Sequence, residues 1–179
     1  MAPIFIIGYM ACGKTTFGRA LARATGRQFI DLDFYIEQRF RRPIGRIFAD
    51  DGEEEFRRME AEMLRVAGEF DDVIVACGGG TPCFRGNMDY MLSRGTTLFL
   101  EASEGRIVER LCANSRRRPL MAGKSRAEIE AAVSEGLSAR MPYYSRASMR
   151  FNGDSLDNRR QIENSISKFL IEHPLNHTQ

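Results

Sequence analysis

The segment from Gly8 to Thr15 has the spacing of a phosphate-binding loop. It reads Gly-Tyr-Met-Ala-Cys-Gly-Lys-Thr and fits the pattern G-x4-G-K-[ST] at every position. In such a loop, backbone N–H groups and the positive end of the following helix dipole surround the oxygens of a polyphosphate. The charge of Lys14 can reach the β- and γ-phosphates, and the hydroxyl of Thr15 can bind Mg²⁺. We expect the nucleotide to be held by Met10, Ala11, Cys12, Gly13, Lys14, Thr15 and Thr16.

Cys12 lies inside this loop and admits two interpretations. We favour an inert thiol that serves as a small side chain. The alternative is a thiol that the helix N-terminus activates, so that it is oxidised when nucleotide is absent. Alkylation of the nucleotide-free protein separates the two, because the second interpretation fails if alkylation leaves activity intact.

Two carboxylates follow the second predicted strand. Asp31 and Asp33 come directly after Phe29-Ile30, at the carboxyl end of a strand, where open α/β sheets bind ligands. Two carboxylates that are two residues apart in an extended segment can serve different partners. We expect the two carboxylates to point in different directions, with one serving Mg²⁺ and the other meeting an acceptor hydroxyl. The alternative for Asp33 is a capping role at the start of a helix over 34–40.

Short apolar runs alternate with helical patterns along the chain. Continuous apolar runs are expected of strands that are buried on both faces of a parallel sheet. The predicted strands are 4–7, 29–30, 73–76, 97–100 and 149–151. Apolar residues at steps of three and four predict one helix that begins at Lys14 and further helices over 55–70, 107–111, 129–141 and 162–170. This alternation predicts an α/β domain with a central parallel sheet and right-handed crossovers.

The predicted helix over 55–70 has a regular apolar pattern. Its large apolar residues recur at steps of three and four, as in an amphipathic helix with one buried stripe. The residues of this stripe are Phe56, Met59, Met63, Val66 and Phe70. We interpret these methionines and aromatics as core packing.

Composition limits the classes of protein to consider. The chain has 179 residues, of which 43% are hydrophobic and 28% charged, and this size and balance fit one globular domain over 1–179. The net charge of +2 is too small to indicate a nucleic-acid or membrane partner. The chain lacks a long apolar stretch and a secretory signal, so we expect a cytoplasmic protein. The two histidines, His173 and His177, lie in the polar C-terminal tail, and this argues against zinc ligation and against a Ser-His-Asp or Cys-His site.

The segment 114–125 lacks apolar periodicity and is rich in arginine. It contains Arg116-Arg117-Arg118, Pro119 and Gly123, and it separates two predicted helices. We predict a mobile loop. A plain basic loop or a nucleic-acid patch is the alternative, although one short cluster without interleaved aromatic residues is weak evidence for nucleic acid.

Several motifs together resemble those of the shikimate kinases. Their order along the chain is that of this family, and they cover about residues 3 to 150. The motifs are the loop Gly8 to Thr15, Asp31-x-Asp33, Ile47-Phe48-x4-Gly52-Glu53-x2-Phe56-Arg57-x2-Glu60, Gly78-Gly79-Gly80, Arg118-Pro119-Leu120 and Arg140-x2-Tyr143. This set is far more specific than a phosphate-binding loop alone.

The resemblance implies a fold and an activity. The fold would be a three-layer sandwich with a central five-stranded parallel sheet flanked by helices, of the nucleoside-monophosphate-kinase type, with a substrate-binding segment at about 31–60 and a mobile lid at about 114–125. The activity would be ATP- and Mg²⁺-dependent transfer of the γ-phosphoryl group to the 3-hydroxyl of shikimate. Shikimate is a carboxylate with three hydroxyls, so its site needs guanidinium groups, a carboxylate and closely approaching backbone.

The resemblance also implies roles for particular residues. Arg57 and Arg140 would bind the carboxylate of shikimate, and Asp33 would accept from the reacting hydroxyl, as general base or as a positioning group. Backbone of the acceptor loop would approach the substrate at Gly78, Gly79 and Gly80. Asp31 and Thr15 would serve Mg²⁺, Arg118 would cover the phosphates, and Arg110 would contact the adenine.

Some points stay open at this stage. Another small-molecule kinase, such as a gluconate-type kinase, shares the loop but is not expected to carry the Phe-Arg-x-x-Glu element with the triple glycine. An ATP-hydrolysing switch is a second alternative, for which the lid and acceptor arginines would be superfluous. The residues 152–160 depart from the family pattern near the adenine pocket, so the base contacts there stay undetermined. We expect a monomer whose partners are shikimate and ATP, without nucleic acid or membrane.

Overall fold

A computed structural model describes residues 1–113 and 123–175, and this part of the chain forms five strands and seven helices. The strands are β1 (Ile4–Ile7), β2 (Gln28–Asp31), β3 (Val73–Ala76), β4 (Thr96–Glu101) and β5 (Met149–Asn152). The helices are α1 (Lys14–Thr25), α2 (Leu32–Phe40), α3 (Ile44–Gly68), α4 (Asn87–Arg94), α5 (Glu104–Ala113), α6 (Arg126–Tyr144) and α7 (Arg159–Glu172). A short 3-10 helix, Thr81–Cys83, lies between β3 and α4.

The sheet is parallel throughout, and its strand order is β2-β3-β1-β4-β5. Every residue of β1 and of β3 is buried, as expected where helices cover both faces of a parallel sheet. The predicted three-layer α/β fold with five parallel strands is therefore confirmed. Strand β1 pairs with β3 on one side and with β4 on the other, so the direction in which strands are added reverses at β1. The phosphate-binding loop follows the carboxyl end of this strand. Open α/β sheets bind ligands at such a point.

Helix α3 is longer than the predicted helix over 55–70 and contains a bend. It begins at Ile44, and Gly52 interrupts the helical backbone with φ 83° and ψ 172°. A positive φ of this size favours glycine over any residue with a Cβ. The bend separates the start of α3 from the part that packs against β3 and α4.

The buried face of α3 differs from the predicted stripe. Phe56 and Met63 are buried as predicted, but Val66 and Phe70 are 39% and 43% exposed, so that part of the prediction is wrong. The buried face instead includes Glu60, which is fully buried, with Leu64 and Ala67. A glutamate in a hydrophobic pattern normally indicates a solvent-facing position, so the pattern placed the buried face of α3 incorrectly.

Some elements fall outside the predictions. Helix α4 was not predicted, because it is short and its N-cap Gly86 offers no side-chain cap. Most of the predicted lid, including Arg118, lies outside the described residues. The described helices include none that is long and apolar enough to cross a membrane.

Candidate active site

The phosphate-binding loop joins the end of β1 to the start of α1. Gly13 is the N-cap of α1 and adopts a left-handed conformation, with no side-chain cap and no acidic residue in the first turn of the helix. The unpaired backbone N–H groups at this end of the helix therefore create a positive potential that favours the binding of phosphate. The Lys14 ammonium group donates to the carbonyl oxygens of Gly8 at 2.8 Å and Tyr9 at 2.9 Å, so the lysine lies along the loop.

Gly8 allows the loop to pass close to the sheet. Its φ is +144°, and a Cβ there would lie 2.5 Å from the carbonyl oxygen of Leu100 and 3.0 Å from Cys12 Sγ. A side chain at this position would displace the backbone of β4. The first glycine of the motif is thus required for the close approach of β1 to β4 and not only for the turn.

Thr15 and Asp31 form one side of the nucleotide cavity. The Thr15 hydroxyl donates to Asp31 Oδ2 at 2.7 Å, which joins the first turn of α1 to the end of β2. No cluster of three or more metal-ligating side chains occurs within residues 1–113 and 123–175. The Thr15 hydroxyl and the Asp31 carboxylate are oxygen donors of the kind that Mg²⁺ takes, commonly one or two from the protein with phosphate and water completing its shell. The predicted donors for Mg²⁺ are therefore brought together.

Asp31 and Asp33 do not lie in one extended segment as predicted. The chain turns into α2 at Leu32, and Asp31 is the N-cap, whose carboxylate accepts from the backbone N–H of Phe34 at 3.4 Å. The capping role considered for Asp33 therefore belongs to Asp31. Both carboxylates line the same cavity, Asp31 at the Thr15 hydroxyl and Asp33 beside Gly78.

Asp33 has an unusual electrostatic environment. Solvent reaches the side chain through the mouth of the cavity, while protein surrounds most of the carboxylate. This desolvation, together with the negative charges of Glu60 and Asp31, raises the pKa of Asp33 to about 6. The positive charges of Lys14 and Arg57 oppose the shift and do not cancel it. A carboxylate with this pKa can accept a proton from a substrate near neutral pH.

The nucleotide cavity has a volume of about 370 Å³, and most of the predicted site residues line it. Those that line it are Met10, Ala11, Gly13, Lys14, Thr15, Thr16, Asp31, Asp33, Gly78, Gly79 and Arg110. Cys12 is the exception: it is fully buried and lines another cavity, between β4, α5 and α6. Complete burial favours the inert interpretation of this thiol.

A second cavity, of about 580 Å³, lies on the other side of the triple glycine. Arg57 from α3 and Arg140 from α6 both line it, together with Gly80. The two arginines, which are far apart in sequence, are thus brought together as predicted. We call this cavity the acceptor cleft.

Arg57 is fixed by carboxylates of its own helix. Its Nη1 donates to Glu60 Oε2 at 2.8 Å, and its Nη2 donates to Glu53 Oε1 at 3.2 Å. Glu60 in turn accepts from the Thr81 hydroxyl at 2.5 Å, and Asn87 donates to the Thr81 carbonyl oxygen at 3.0 Å. Glu60, Thr81 and Asn87 are all fully buried. No role was predicted for these three residues from the sequence, although Glu60 stands one helical turn after Arg57 in the motif.

Arg140 is held differently. Among the described residues no carboxylate pairs with it, and its Nη1 is buried without a hydrogen-bond partner. A buried guanidinium N–H without a partner is costly, so a site of this kind is completed by an anion. Arg140 therefore brings to the acceptor cleft a positive charge that no carboxylate of the described residues balances.

The triple glycine separates the two cavities and permits close contact. A Cβ on Gly78 would lie 2.5 Å from Glu60 Oε1 and 3.3 Å from Asp33 Oδ1, and a Cβ on Gly80 would lie 2.6 Å from Arg57 Nη2. The hydroxyl of Tyr144 donates to the Gly79 carbonyl oxygen at 2.6 Å. The resemblance singled out Tyr143, but Tyr144 is the buried tyrosine at this point, one helical turn after Arg140.

Arg110 joins the phosphate-binding loop to the loop after β5. Its Nη1 donates to the carbonyl oxygen of Cys12 at 3.2 Å, and its Nη2 donates to those of Gly153 at 3.0 Å and Asp154 at 2.8 Å. Its Nε pairs with Asp157 Oδ1 at 3.0 Å. Leu156 and Asp157, which were not predicted as site residues, line the nucleotide cavity beside it.

This fold and these two adjoining cavities define a P-loop kinase that phosphorylates a small molecule. The sequence profile of shikimate kinase matches residues 10–171 of the chain. The chain therefore belongs to the shikimate kinase family, as its motifs predicted.

Individual relatives agree with this assignment. A shikimate kinase of Phocaeicola vulgatus is 45% identical over 166 residues, which cover 93% of this chain and 95% of that protein. A crystal structure of shikimate kinase from Bacteroides thetaiotaomicron superposes with a TM-score of 0.94 at 40% identity, covering 97% of this chain and 99% of the other. A shikimate kinase from Acinetobacter baumannii, solved in complex with shikimate, gives a TM-score of 0.86 at 27% identity and covers 100% and 96% of the two chains.

The activity follows from the family. The chain is a phosphotransferase with an alcohol group as acceptor, and it transfers a phosphoryl group from ATP to shikimate. The sequence-based prediction of the reaction is confirmed, and no comparison favours the gluconate-type alternative.

Proposed function

We propose that the residues of the two cavities divide the reaction between them as follows. The backbone N–H groups of the phosphate-binding loop and the Lys14 ammonium group bind the phosphates of ATP. The acceptor cleft binds shikimate, with its carboxylate between Arg57 and Arg140 and its ring beside the triple glycine. The 3-hydroxyl then faces the γ-phosphate across Gly79, which has no side chain to obstruct it.

The acceptor arginines have complementary roles. Arg57 is already paired with Glu60 and Glu53, so it is pre-oriented but partly neutralised. The two glutamates pair with Arg57 and not with Arg140, so they do not balance the charge of Arg140. The observation that carries this proposal is that Arg57 and Arg140 line one cleft and that no carboxylate of the described residues pairs with Arg140. A carboxylate of the acceptor would balance its charge.

Asp33 serves the hydroxyl that reacts. With its pKa at about 6, it is mostly ionised at neutral pH and accepts a hydrogen bond from the 3-hydroxyl. The hydroxyl oxygen forms a bond to the γ-phosphorus as the bond to the bridging oxygen breaks and ADP departs. The hydroxyl proton passes to Asp33 or to the new phosphate group. Phosphoryl transfer depends mainly on alignment and charge stabilisation, so orientation by Asp33 contributes even without full proton removal.

Mg²⁺ would be held by Thr15 and, through water, by Asp31, whose oxygens meet in the structure at 2.7 Å. When bound, the ion neutralises charge on the phosphates. Removal of Mg²⁺ by a chelator should therefore stop the reaction, and added Mg²⁺ should restore it.

Other parts of the proposal rest on sequence. Arg118, outside the described residues, would cover the phosphates as part of a lid over 114–125 and stabilise charge on the transferring group. Residues 31–60 would form the substrate-binding segment of a single domain over 1–179. Arg110 would border the adenine end of the cavity, and the enzyme would act in the cytoplasm as a monomer.

The experiment that tests this function is an assay of ADP release with Mg²⁺ and ATP, run with and without shikimate. We expect ADP release to depend on shikimate and phosphorylated shikimate to appear by mass spectrometry. ADP release that ignores shikimate would contradict the acceptor assignment. The matched acceptor control is the methyl ester of shikimate, which keeps the hydroxyls but lacks the charge that the two arginines bind.

A further inference from the structure

Tyr9 connects the nucleotide loop to the acceptor cleft. Its backbone belongs to the phosphate-binding loop, where its carbonyl oxygen accepts from Lys14 at 2.9 Å. Its side chain points the other way, is only 3% exposed, and lies against α6. One residue therefore takes part in both halves of the site.

The contact with α6 follows one row of residues at a spacing of four. The Tyr9 hydroxyl donates to the Ala132 carbonyl oxygen at 3.2 Å. One turn later stands Gly136, where a Cβ would overlap the Tyr9 hydroxyl and lie 2.8 Å from ring atom Cε2. After another turn the guanidinium carbon of Arg140 lies over the Tyr9 ring, 4.9 Å from its centroid. The glycine thus lets the ring lie flat along the helix and reach the arginine.

This contact suits an arginine that must remain available to an anion. A carboxylate partner would occupy the N–H donors of Arg140 and compete with the substrate. An aromatic face attracts the cation from above its plane, so the N–H groups in the plane remain available for bidentate bonds. Tyr9 therefore fixes the guanidinium without neutralising its charge, in contrast to Glu60, which pairs with Arg57 directly.

We propose that Tyr9 is a positioning residue for shikimate, because its ring holds the guanidinium of Arg140 in the orientation that binds the carboxylate. The inference rests on the proposed role of Arg140 as a carboxylate ligand. A guanidinium held in one orientation loses less conformational freedom when the acceptor binds. Tyr9 acts through Arg140 and does not itself touch the acceptor.

The test measures KM for shikimate, KM for ATP and kcat in variants of Tyr9. Tyr9→Leu removes the aromatic face, and we expect KM for shikimate to rise about 5- to 30-fold, the factor that corresponds to a desolvated cation–π contact. We expect kcat and KM for ATP to change far less. Tyr9→Phe keeps the ring and loses the hydroxyl, which bonds to Ala132 and also interacts with Arg140, so KM for shikimate should rise by less than in Tyr9→Leu.

A double-mutant cycle separates this inference from the proposed function. Arg140→Ala should raise KM for shikimate, and adding Tyr9→Leu to it should cause no further rise, because the residue through which Tyr9 acts is gone. If Arg140→Ala leaves KM unchanged, the carboxylate assignment of Arg140 fails. If Arg140→Ala raises KM but Tyr9→Leu does not, or if Tyr9→Leu raises it equally in both backgrounds, the positioning role of Tyr9 is overturned.

Tyr90 provides a matched control on another helix. Arg65 lies over its ring at 5.1 Å, its hydroxyl donates to the Arg65 carbonyl oxygen at 3.1 Å, and a Cβ on Gly68 would overlap that hydroxyl. Neither Tyr90 nor Arg65 is among the described residues that line the acceptor cleft. Tyr90→Leu should leave KM for shikimate unchanged, and a rise equal to that of Tyr9→Leu would assign the effect to general loosening of the fold and overturn the inference.

Gly136→Ala keeps the question answerable if Tyr9→Leu does not fold. The new Cβ would displace the Tyr9 ring while leaving its chemistry intact. KM for shikimate should rise, whereas affinity for the methyl ester of shikimate, which lacks the charge that Arg140 binds, should not change. An unchanged KM for shikimate in a folded Gly136→Ala protein would contradict the proposal.

Discussion

Glu60 is fully buried, and its Oε2 accepts a hydrogen bond from Nη1 of Arg57 at 2.8 Å. The other carboxylate oxygen accepts from Thr81 at 2.5 Å, directly after the triple glycine. One side chain therefore links the acceptor-binding helix to the loop that separates the two cavities. A buried carboxylate with both oxygens engaged orients its partners strongly, and its removal leaves them unsatisfied.

Replacement of Glu60 by glutamine should weaken both the fold and substrate binding. The amide retains the shape but loses the charge, and its N–H₂ group opposes one of the two donors. We expect the free energy of unfolding to fall by about 1–3 kcal/mol, as measured by chemical denaturation. KM for shikimate should rise as well, because Arg57 is no longer held.

Glu55→Gln is the control for this substitution. Glu55 pairs with Arg58 at 3.0 Å with the same three-residue spacing on α3, but these side chains are 39% and 66% exposed. Exposed pairs contribute about 0–1 kcal/mol, so little should change. Equal losses in the two variants would show that the burial of Glu60 has no special effect.

Substitution of Arg57 should act mainly on acceptor binding. Arg57→Ala removes charge-assisted hydrogen bonds to the carboxylate of shikimate, and we expect KM for shikimate to rise about 10- to 100-fold. The neighbouring Arg58→Ala removes an exposed arginine from the same helix and should leave KM unchanged. The assignment of Arg57 fails if both variants have the KM of the original protein.

The positions of these residues differ in how far the sequence could predict them. The loop Gly8 to Thr15 was predictable because its function depends on local spacing between one strand and one helix. The pairing of Arg57 and Arg140 across one cleft was implied only by resemblance, since contacts between distant segments depend on packing. Glu60 could not be assigned from its type, because a glutamate in a helical pattern indicates a solvent-facing position.

Local backbone geometry accounts for two further differences. Asp31 and Asp33 were expected to lie in one extended segment, but helix α2 begins at Leu32, between them. The role of Tyr144 at Gly79 depends on which of two adjacent tyrosines faces the sheet, which the sequence Tyr143-Tyr144 leaves undetermined. For the tyrosines, a shift of one residue changes the direction of the side chain.

The pH dependence of the reaction should report the titration of Asp33. Because its pKa is about 6, kcat/KM for shikimate should be nearly constant above pH 7 and fall as the pH drops below about 6, where protonation removes the acceptor for the substrate hydroxyl. Glu60→Gln removes a charge that raises this pKa, so the fall should occur at lower pH. Glu55→Gln should leave the profile in place.

The same shift determines the sign of an effect on stability. The pKa of Asp33 is higher in the folded protein than the ordinary 3.8, so the folded state binds more protons between these values. The contribution of Asp33 to stability therefore decreases as the pH rises from about 4 to about 6. Thermal unfolding should show that Asp33→Asn is more stable than the original protein at pH 8 and that this gain in stability is smaller at pH 4. The activity of the variant should fall about 100- to 10,000-fold. Asp71→Asn, at an exposed turn, should alter neither quantity.

Gly80→Ala should disturb the acceptor cleft by steric contact alone. The backbone at Gly80 has φ −94°, which alanine adopts without strain, but the new Cβ would lie 2.6 Å from Arg57 Nη2 and 2.8 Å from its Cζ. Because Glu60 and Glu53 hold this guanidinium in place, it can move away only by losing one of its ion pairs. We expect KM for shikimate to rise about tenfold, a loss comparable to one charge-assisted hydrogen bond, with a smaller change in KM for ATP. Gly105→Ala, in helix α5 with no atom within 4 Å of its added Cβ, should leave both constants unchanged. An unaltered KM for shikimate in Gly80→Ala would mean that Arg57 can move without loss of binding, and its fixed orientation would then be unnecessary for acceptor capture.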